Sequence, residues 1–292
     1  MPRRSTRFLK NANLCFVAKG SLMEPILLTQ YPADGVAVLR LNRPEVLNAL
    51  NLALRQALAE HVSQLEQDEA VKVIVLAGSE KAFCAGADLN EYVNASPQDI
   101  IDRHMDRLWG AISHCRKPLI AAVRGYALGG GCELAIHADI IYAGESAKFG
   151  QPEVKVGIMP GGGATQRLTQ AVGKFAAMKI LLSGEPLDAG KALQMGLVSE
   201  VVPDDEVEKR ALECAVKLTR LPAMSLRFIK EAVIESMNTP LDAGLRFERR
   251  AFHTLFASED KTEACAPCWT NANRCSKDTD TSHTFKEIAT WL

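Results

Sequence analysis

The sequence predicts an α/β fold whose C-terminal region is entirely helical. Strand-like runs rich in Val, Ile, Leu and Ala alternate with amphipathic stretches as far as residue 203, and only helical patterns follow. Strands that alternate with helices build a largely parallel sheet, whereas helices alone form their own layer. Glycine runs at 129–131 and 161–163 close strand-like or turn segments just before helical patterns, marking sharp changes of chain direction.

From residue 24 the pattern is regular. Residues 35–42 (GVAVLRLN) alternate as a strand does. Pro44 is read as opening a helix, where its missing N–H is harmless, with Leu47, Leu50, Leu54, Ala57, Leu58 and His61 on the apolar stripe. Residues 71–78 (VKVIVLAG) are nearly all apolar, as expected of a strand buried on both faces. A turn is expected at 79–88 and a helix at 99–114, with Met105, Leu108, Trp109 and Ile112 on one face. Residues 118–125 are the third strand. Helical patterns at 172–182 and 189–195 precede a short strand that ends at Pro203. Three more helices are expected at 206–219, 225–237 and 241–257.

The composition bounds the function. A 292-residue chain of net charge -1 does not present a basic surface over its whole extent, which argues against a nucleic-acid partner. No run approaches the roughly 18 apolar residues that span a bilayer. The eight cysteines are scattered, as in a reducing compartment, and Cys132 reads as a small buried hydrophobe. Residues 1–22 carry five basic residues and no acidic one, so they read as an over-long start or a transit peptide, and disorder is expected there. The expected compartment is the cytoplasm, or the mitochondrial matrix for a transit peptide. Residues 264–292 are polar and aperiodic. Their Cys265, Cys268, Cys275 and His283 lack matched zinc spacing, so no metal is expected.

The segment 118–168 carries the chemistry. Gly129-Gly130-Gly131 stands between a strand and a helical pattern. A helix N-terminus offers free N–H groups and partial positive charge, suited to a phosphate or a developing oxyanion. Neither the dinucleotide fingerprint nor the phosphate-loop motif is present, which leaves an oxyanion site or plain tight packing. Glu133 falls in the first turn of that helix among apolar neighbours, and Glu153 follows Pro152. A lone glutamate is usually solvated, but two near an oxyanion site are what water addition needs. One deprotonates water and the other exchanges a proton with carbon.

Five segments carry a family resemblance: LNRPEVLNALN at 41–51, KAFCAGADLNE at 81–91, the run 117–143, FGQPEVKVGIMPGGGATQRL at 149–168 and LSGEPLDAGKALQMGLVSEVVP at 182–203. With these the chain resembles the crotonase (enoyl-CoA hydratase/isomerase) superfamily. The resemblance implies a crotonase-like spiral of ββα units over 23–220 and a helical trimerisation region over 221–263, in a homotrimer or a dimer of trimers. It implies an acyl-CoA thioester substrate, with no cofactor beyond the coenzyme A moiety of that substrate. The N–H groups of Ala87 and Gly130 would hold the thioester oxygen. Glu133 would activate water, Glu153 would supply the α-proton, and the N–H of Gly161 would orient the water. Coenzyme A contacts would fall on Val46, Asn48, Ala49, Lys81, Ala85, Asp88 and Phe252. The glutamate pair favours a hydratase over an isomerase. A non-catalytic RNA-binding relative would want a basic helix face, and the helix at 99–114 is mixed in charge.

The tail departs from the family. Codons for ACAPCWTNANRCSKDTD, read one base out of register, yield GMRAMLDKRQPVFKGH and a stop, which matches the family ending. With suitable synonymous codons, the reading expected from this is a single-base frameshift that begins near Glu263, in the gene or in its sequencing.

Overall fold

A computed structural model describes residues 24–262. The expectations for residues 1–22 and 264–292 lie outside the described residues. The chain divides into two compact units that meet in sequence at Val216 and Lys217.

The first unit holds two sheets. Strand β1 (Leu27–Ala33) forms an antiparallel hairpin with β2 (Val36–Leu41). Four strands then extend the sheet in parallel: β3 (Val73–Ala77), β5 (Leu119–Val123), β7 (Ile140–Gly144) and β10 (Glu200–Val202). The order is β1-β2-β3-β5-β7-β10. Every residue of β3 and β5 is buried, as their unbroken apolar runs require.

The second sheet is small: β4 (Ala82–Cys84), β6 (Tyr126–Leu128), β8 (Lys148–Gly150) and the antiparallel β9 (Leu187–Asp188), in that order. The chain therefore repeats one path. It runs along a strand of the large sheet, then a strand of the small sheet, then helical turns, and returns. β3 leads to β4, β5 to β6, and β7 to β8. This is the expected spiral. These short strands were not foreseen, because two or three residues are too few to show a period.

Helix α1 (Leu52–Gln67) begins eight residues after Pro44, which corrects the expected start. Asn51 caps it by accepting from Leu54 N at 2.9 Å. Pro44 opens only the 3-10 turn Pro44–Val46, because Leu47 and Asn48 are left-handed (φ 53 and 58). Leu54, Leu58, Val62 and Leu65 still bury one face of α1. Each contributes about 1.5–3 kcal/mol by leaving water.

The helix expected over 99–114 is two: α2 (Pro97–Asp102) and α3 (Met105–Ser113). They are parted by His104 at φ 48. Ser96 and Asp99 form a capping box at the start of α2. Helix α4 (Gly130–Ile136) follows β6. After β8, α5 (Ala164–Val172) and α6 (Lys174–Ser183) are separated by Gly173 at φ 79. The helix expected over 172–182 thus starts only after that glycine. α7 (Ala189–Gln194) and α8 (Val207–Thr219) follow. In the second unit α9 (Ala223–Ser236) packs on α10 (Leu241–Leu255).

Candidate active site

The parallel strands β4, β6 and β8 lie side by side, and their C-terminal ends open onto the segments that carry the expected chemistry. Ala87 follows β4, Gly130 follows β6 and Glu153 follows β8.

The first segment, 85–88, is held extended against the 47–50 loop. Ala85 N donates to Leu47 O at 3.0 Å, Leu50 N to Gly86 O at 2.7 Å and Asp88 N to Leu50 O at 3.1 Å. Gly86 sits at φ 103, and a β-carbon there would lie 2.7 Å from Leu128 O. The second segment turns at Gly129 (φ 51), whose N–H donates to Gly150 O at 2.8 Å and ties the end of β6 to the end of β8. Gly131 lets α4 press onto β4, since a β-carbon there would fall 2.0 Å from Cys84 O. A β-carbon on Gly130 would be 3.8 Å from Ala87 N and 4.0 Å from Glu133 Oε2. Two backbone amides and one carboxylate therefore converge on a single small space.

Glu133 is 3% exposed. Its Oε1 accepts from Gly162 N at 2.7 Å and Ala164 N at 3.1 Å. Burial pushes its carboxyl above the usual range, while these amides and the Arg55 charge act in the opposite sense. Glu153 is half-buried in the 3-10 turn Pro152–Val156. Burial, and then the nearby Glu133 charge, raise it to about 7, against a backbone N–H that lowers it. A β-carbon on Gly129 would lie 2.7 Å from Glu153 Oε1, so only glycine fits beside this carboxylate. With its amide nitrogen toward Glu153, the fully buried Gln151 donates to both carboxylate oxygens at 3.2 and 3.3 Å.

Other residues complete the wall. His137 Nδ1 donates to Glu133 O at 2.7 Å, and burial lowers His137 to about 4, so the ring is neutral near pH 7. Trp109 of α3 stacks on it, with centroids 5.0 Å apart and planes at 17°. Gly161 faces open space: a β-carbon there would meet nothing within 4 Å. Gly162, its neighbour, is the glycine whose amide holds Glu133. Cys84 and Cys132 are buried thiols raised to about 12, which makes them poor nucleophiles.

The residues of the first unit expected to contact coenzyme A differ in exposure. Val46 is exposed, Ala49 is half-buried and Lys81 is exposed. The side chain of Asn48 anchors the 47–50 loop. It is fully buried, with Oδ1 accepting from Arg43 N at 2.9 Å and Nδ2 donating to Ala82 O and Phe83 O at 3.0 and 3.2 Å. These bonds shape the loop. Asp88 pairs with Arg43 at 3.2 Å. Phe252 lies in the second unit, exposed on α10 with its ring edge-on to Phe256 at 5.0 Å.

Trp109, Gln151, Gly162, Ala164 and Arg55 were not among the expected site residues. Trp109 read as part of an apolar face and Gly162 as one of a glycine run, and Gln151 and Ala164 lie in the segment 149–168 that carries the resemblance.

The fold brings two carboxylates to one site, and the chain belongs to the enoyl-CoA hydratase/isomerase family, whose sequence profile matches residues 32–267. It is similar to a probable enoyl-CoA hydratase of Rhizobium meliloti, 49% identical over 234 residues, which cover 79% of this chain and 90% of the relative. It is also similar to the 2,3-dehydroadipyl-CoA hydratase of Escherichia coli, 45% identical over 228 residues, covering 78% of this chain and 89% of the relative. Among solved structures, an enoyl-CoA hydratase subunit from Geobacillus kaustophilus superimposes with a TM-score of 0.83 at 37% identity, covering 88% of this chain and 98% of that one.

Proposed function

We propose that this protein is an enoyl-CoA hydratase, adding water across the 2-trans double bond of an enoyl-CoA thioester to give a 3-hydroxyacyl-CoA. The observation that carries the reading is how near the amides at Ala87 and Gly130 stand to Glu133: a β-carbon on Gly130 would lie 3.8 Å from Ala87 N and 4.0 Å from Glu133 Oε2, with Glu153 Oε1 beside Gly129. Among the described residues neither of those two N–H groups has an acceptor.

In this reading the thioester oxygen accepts from both amides. Ionised Glu133 takes a proton from water as the hydroxyl adds to C3. The C2–C3 π electrons move toward the carbonyl, and the charge collects on the oxygen as an enolate. Protonated Glu153 then gives its proton to C2, and proton transfer from Glu133 restores the starting state. One oxyanion donor contributes roughly 3–4 kcal/mol in comparable sites, and a positioned acid or base about 10²–10⁴-fold. The different surroundings of the two carboxylates support the division of labour.

Exposed Ile229, Val233, Leu241, Leu245, Phe252 and Phe256 on α9 and α10 support assembly into a trimer through the second unit. Among the described residues no helix is long and apolar enough to cross a membrane.

The test follows loss of the enoyl thioester absorbance with crotonyl-CoA and with an ω-carboxyl enoyl-CoA, for the wild type, Glu133→Gln and Glu153→Gln. Hydration by the wild type and a loss of at least about 100-fold in each variant are expected. Full activity in either variant overturns the mechanism. Double-bond migration in a 3-enoyl-CoA without hydration would assign the site to an isomerase.

A further inference from the structure

Glu133 Oε2 is a near neighbour of two glycines of the site. A β-carbon on Gly130 would stand 4.0 Å from it, beside Ala87 N at 3.8 Å and Leu50 Cδ1 at 3.2 Å. A β-carbon on Gly162 would stand 2.7 Å from the same oxygen, beside Trp109 Cε2 at 2.6 Å and Cζ2 at 2.7 Å. The amides at Ala87 and Gly130 therefore neighbour one end of this space and the indole edge of Trp109 the other, with the carboxylate oxygen common to both.

The indole is fixed in place. Trp109 is half-buried on α3 and packs on the hydrophobic core, and α3 packs on α1. The indole stacks on the His137 ring, with centroids 5.0 Å apart. His137 is 7% exposed and tied through Nδ1 to Glu133 O at 2.7 Å. An indole held between a buried ring and a glycine where no β-carbon fits cannot yield to a ligand without moving close-packed neighbours.

We propose that Trp109 is a specificity-determining residue: its indole is the end wall of the acyl site and selects short enoyl chains. This rests on the hydratase reading, which sets the direction of the chain. With the thioester oxygen on the amides of Ala87 and Gly130 and C3 at Glu133 Oε2, the carbons beyond C3 point toward the indole. A short chain ends before the wall. A long straight chain reaches it and must bend or displace it. One methylene more or less in an apolar pocket is worth about 10–200-fold in kcat/KM.

The test measures kcat/KM for crotonyl-CoA, 2-hexenoyl-CoA and 2-decenoyl-CoA in wild type, Trp109→Ala and Trp109→Phe, beside thermal melting. Phenylalanine keeps a ring for His137 and removes the far edge of the indole. Wild type is expected to favour crotonyl-CoA over 2-decenoyl-CoA by at least about 10-fold, and Trp109→Ala to shrink that ratio by at least about 10-fold. Trp109→Phe is expected to fall between them, and it carries the test where Trp109→Ala does not fold. An unmoved ratio in an active variant overturns the proposal. So does an equal loss at all three lengths with a lower Tm, which is what a purely structural pillar would give. A wild type that hydrates 2-decenoyl-CoA as fast as crotonyl-CoA overturns it as well.

A second readout needs no turnover. The Kd values of butyryl-CoA and decanoyl-CoA are measured by calorimetry in wild type and in the variants. Decanoyl-CoA is expected to gain at least about 10-fold in affinity relative to butyryl-CoA in Trp109→Ala. Affinities that move together overturn the proposal. A relative gain in a protein whose wild type hydrates no enoyl-CoA would instead strike the hydratase reading and leave the wall standing.

Discussion

Gly162→Ala tests how closely the wall around Glu133 is built. A β-carbon on Gly162 would lie 2.7 Å from Glu133 Oε2, 2.6 Å from Trp109 Cε2 and 2.7 Å from Trp109 Cζ2. Ordinary contact begins at 3.4 Å, so Glu133 must retreat by about 3.4 − 2.7 = 0.7 Å or Trp109 by about 3.4 − 2.6 = 0.8 Å. Neither moves freely: Glu133 is held by two amides, and Trp109 is stacked on His137. Overpacking of this kind costs about 1–3 kcal/mol, a fraction of the roughly 5–15 kcal/mol that holds a domain, so the protein stays folded. A carboxylate displaced by most of an ångström loses about 100-fold in rate, roughly 2.7 kcal/mol of transition-state stabilisation. The assay is kcat and KM with crotonyl-CoA, beside circular dichroism and thermal melting. The expected result is a fall of about 100-fold carried mainly by kcat, a Tm lower by several degrees and an unchanged folded spectrum. A lower Tm with kcat/KM within threefold of wild type would show that Glu133 tolerates displacement, and the reasoning fails.

Two further outcomes follow from the same geometry. Glu153 is raised from 4.5 to about 7, so the folded protein holds its proton between those values while the unfolded chain has released it. Stability should therefore fall as pH rises through that window, activity should be lost as pH rises through about 7, and Glu153→Gln should flatten the melting dependence. Asn48→Ala should lower stability by about 2–3 kcal/mol by chemical denaturation, because it removes the side-chain donor of Phe83 O and the acceptor of Arg43 N and puts alanine at φ 58. It should also raise KM more than it lowers kcat, since the 47–50 loop loses its anchor.

Much of the site was legible because its chemistry is local in the chain. Gly129 to Glu133 is one turn and the first coil of one helix, and β3 and β5 announced themselves as unbroken apolar runs. The groups that hold the carboxylates were not legible. Gly162 and Ala164 meet Glu133 across about thirty residues, and Arg55 acts from another helix altogether. No spacing rule reports such pairs. The misplaced start of α1 has a local cause: Pro44 is compatible with a first helical turn, but the buried Asn48 forces left-handed backbone and delays the helix to Leu52. The break at His104 carried no glycine or proline to announce it.

Because β4, β6 and β8 are neighbours, the small sheet works as a ruler. Adjacent strands stand about 4.8 Å apart, and each delivers one chemical group at its end: first amide, second amide, acid. The graduations are set by backbone hydrogen bonds between neighbouring strands. The Ala87 and Gly130 amides sit on two marks and Glu153 on the third. A change confined to the turn after β8 would therefore replace the acid without disturbing the two amides. Such a scaffold can exchange one chemical group at a single graduation while the other two stay fixed.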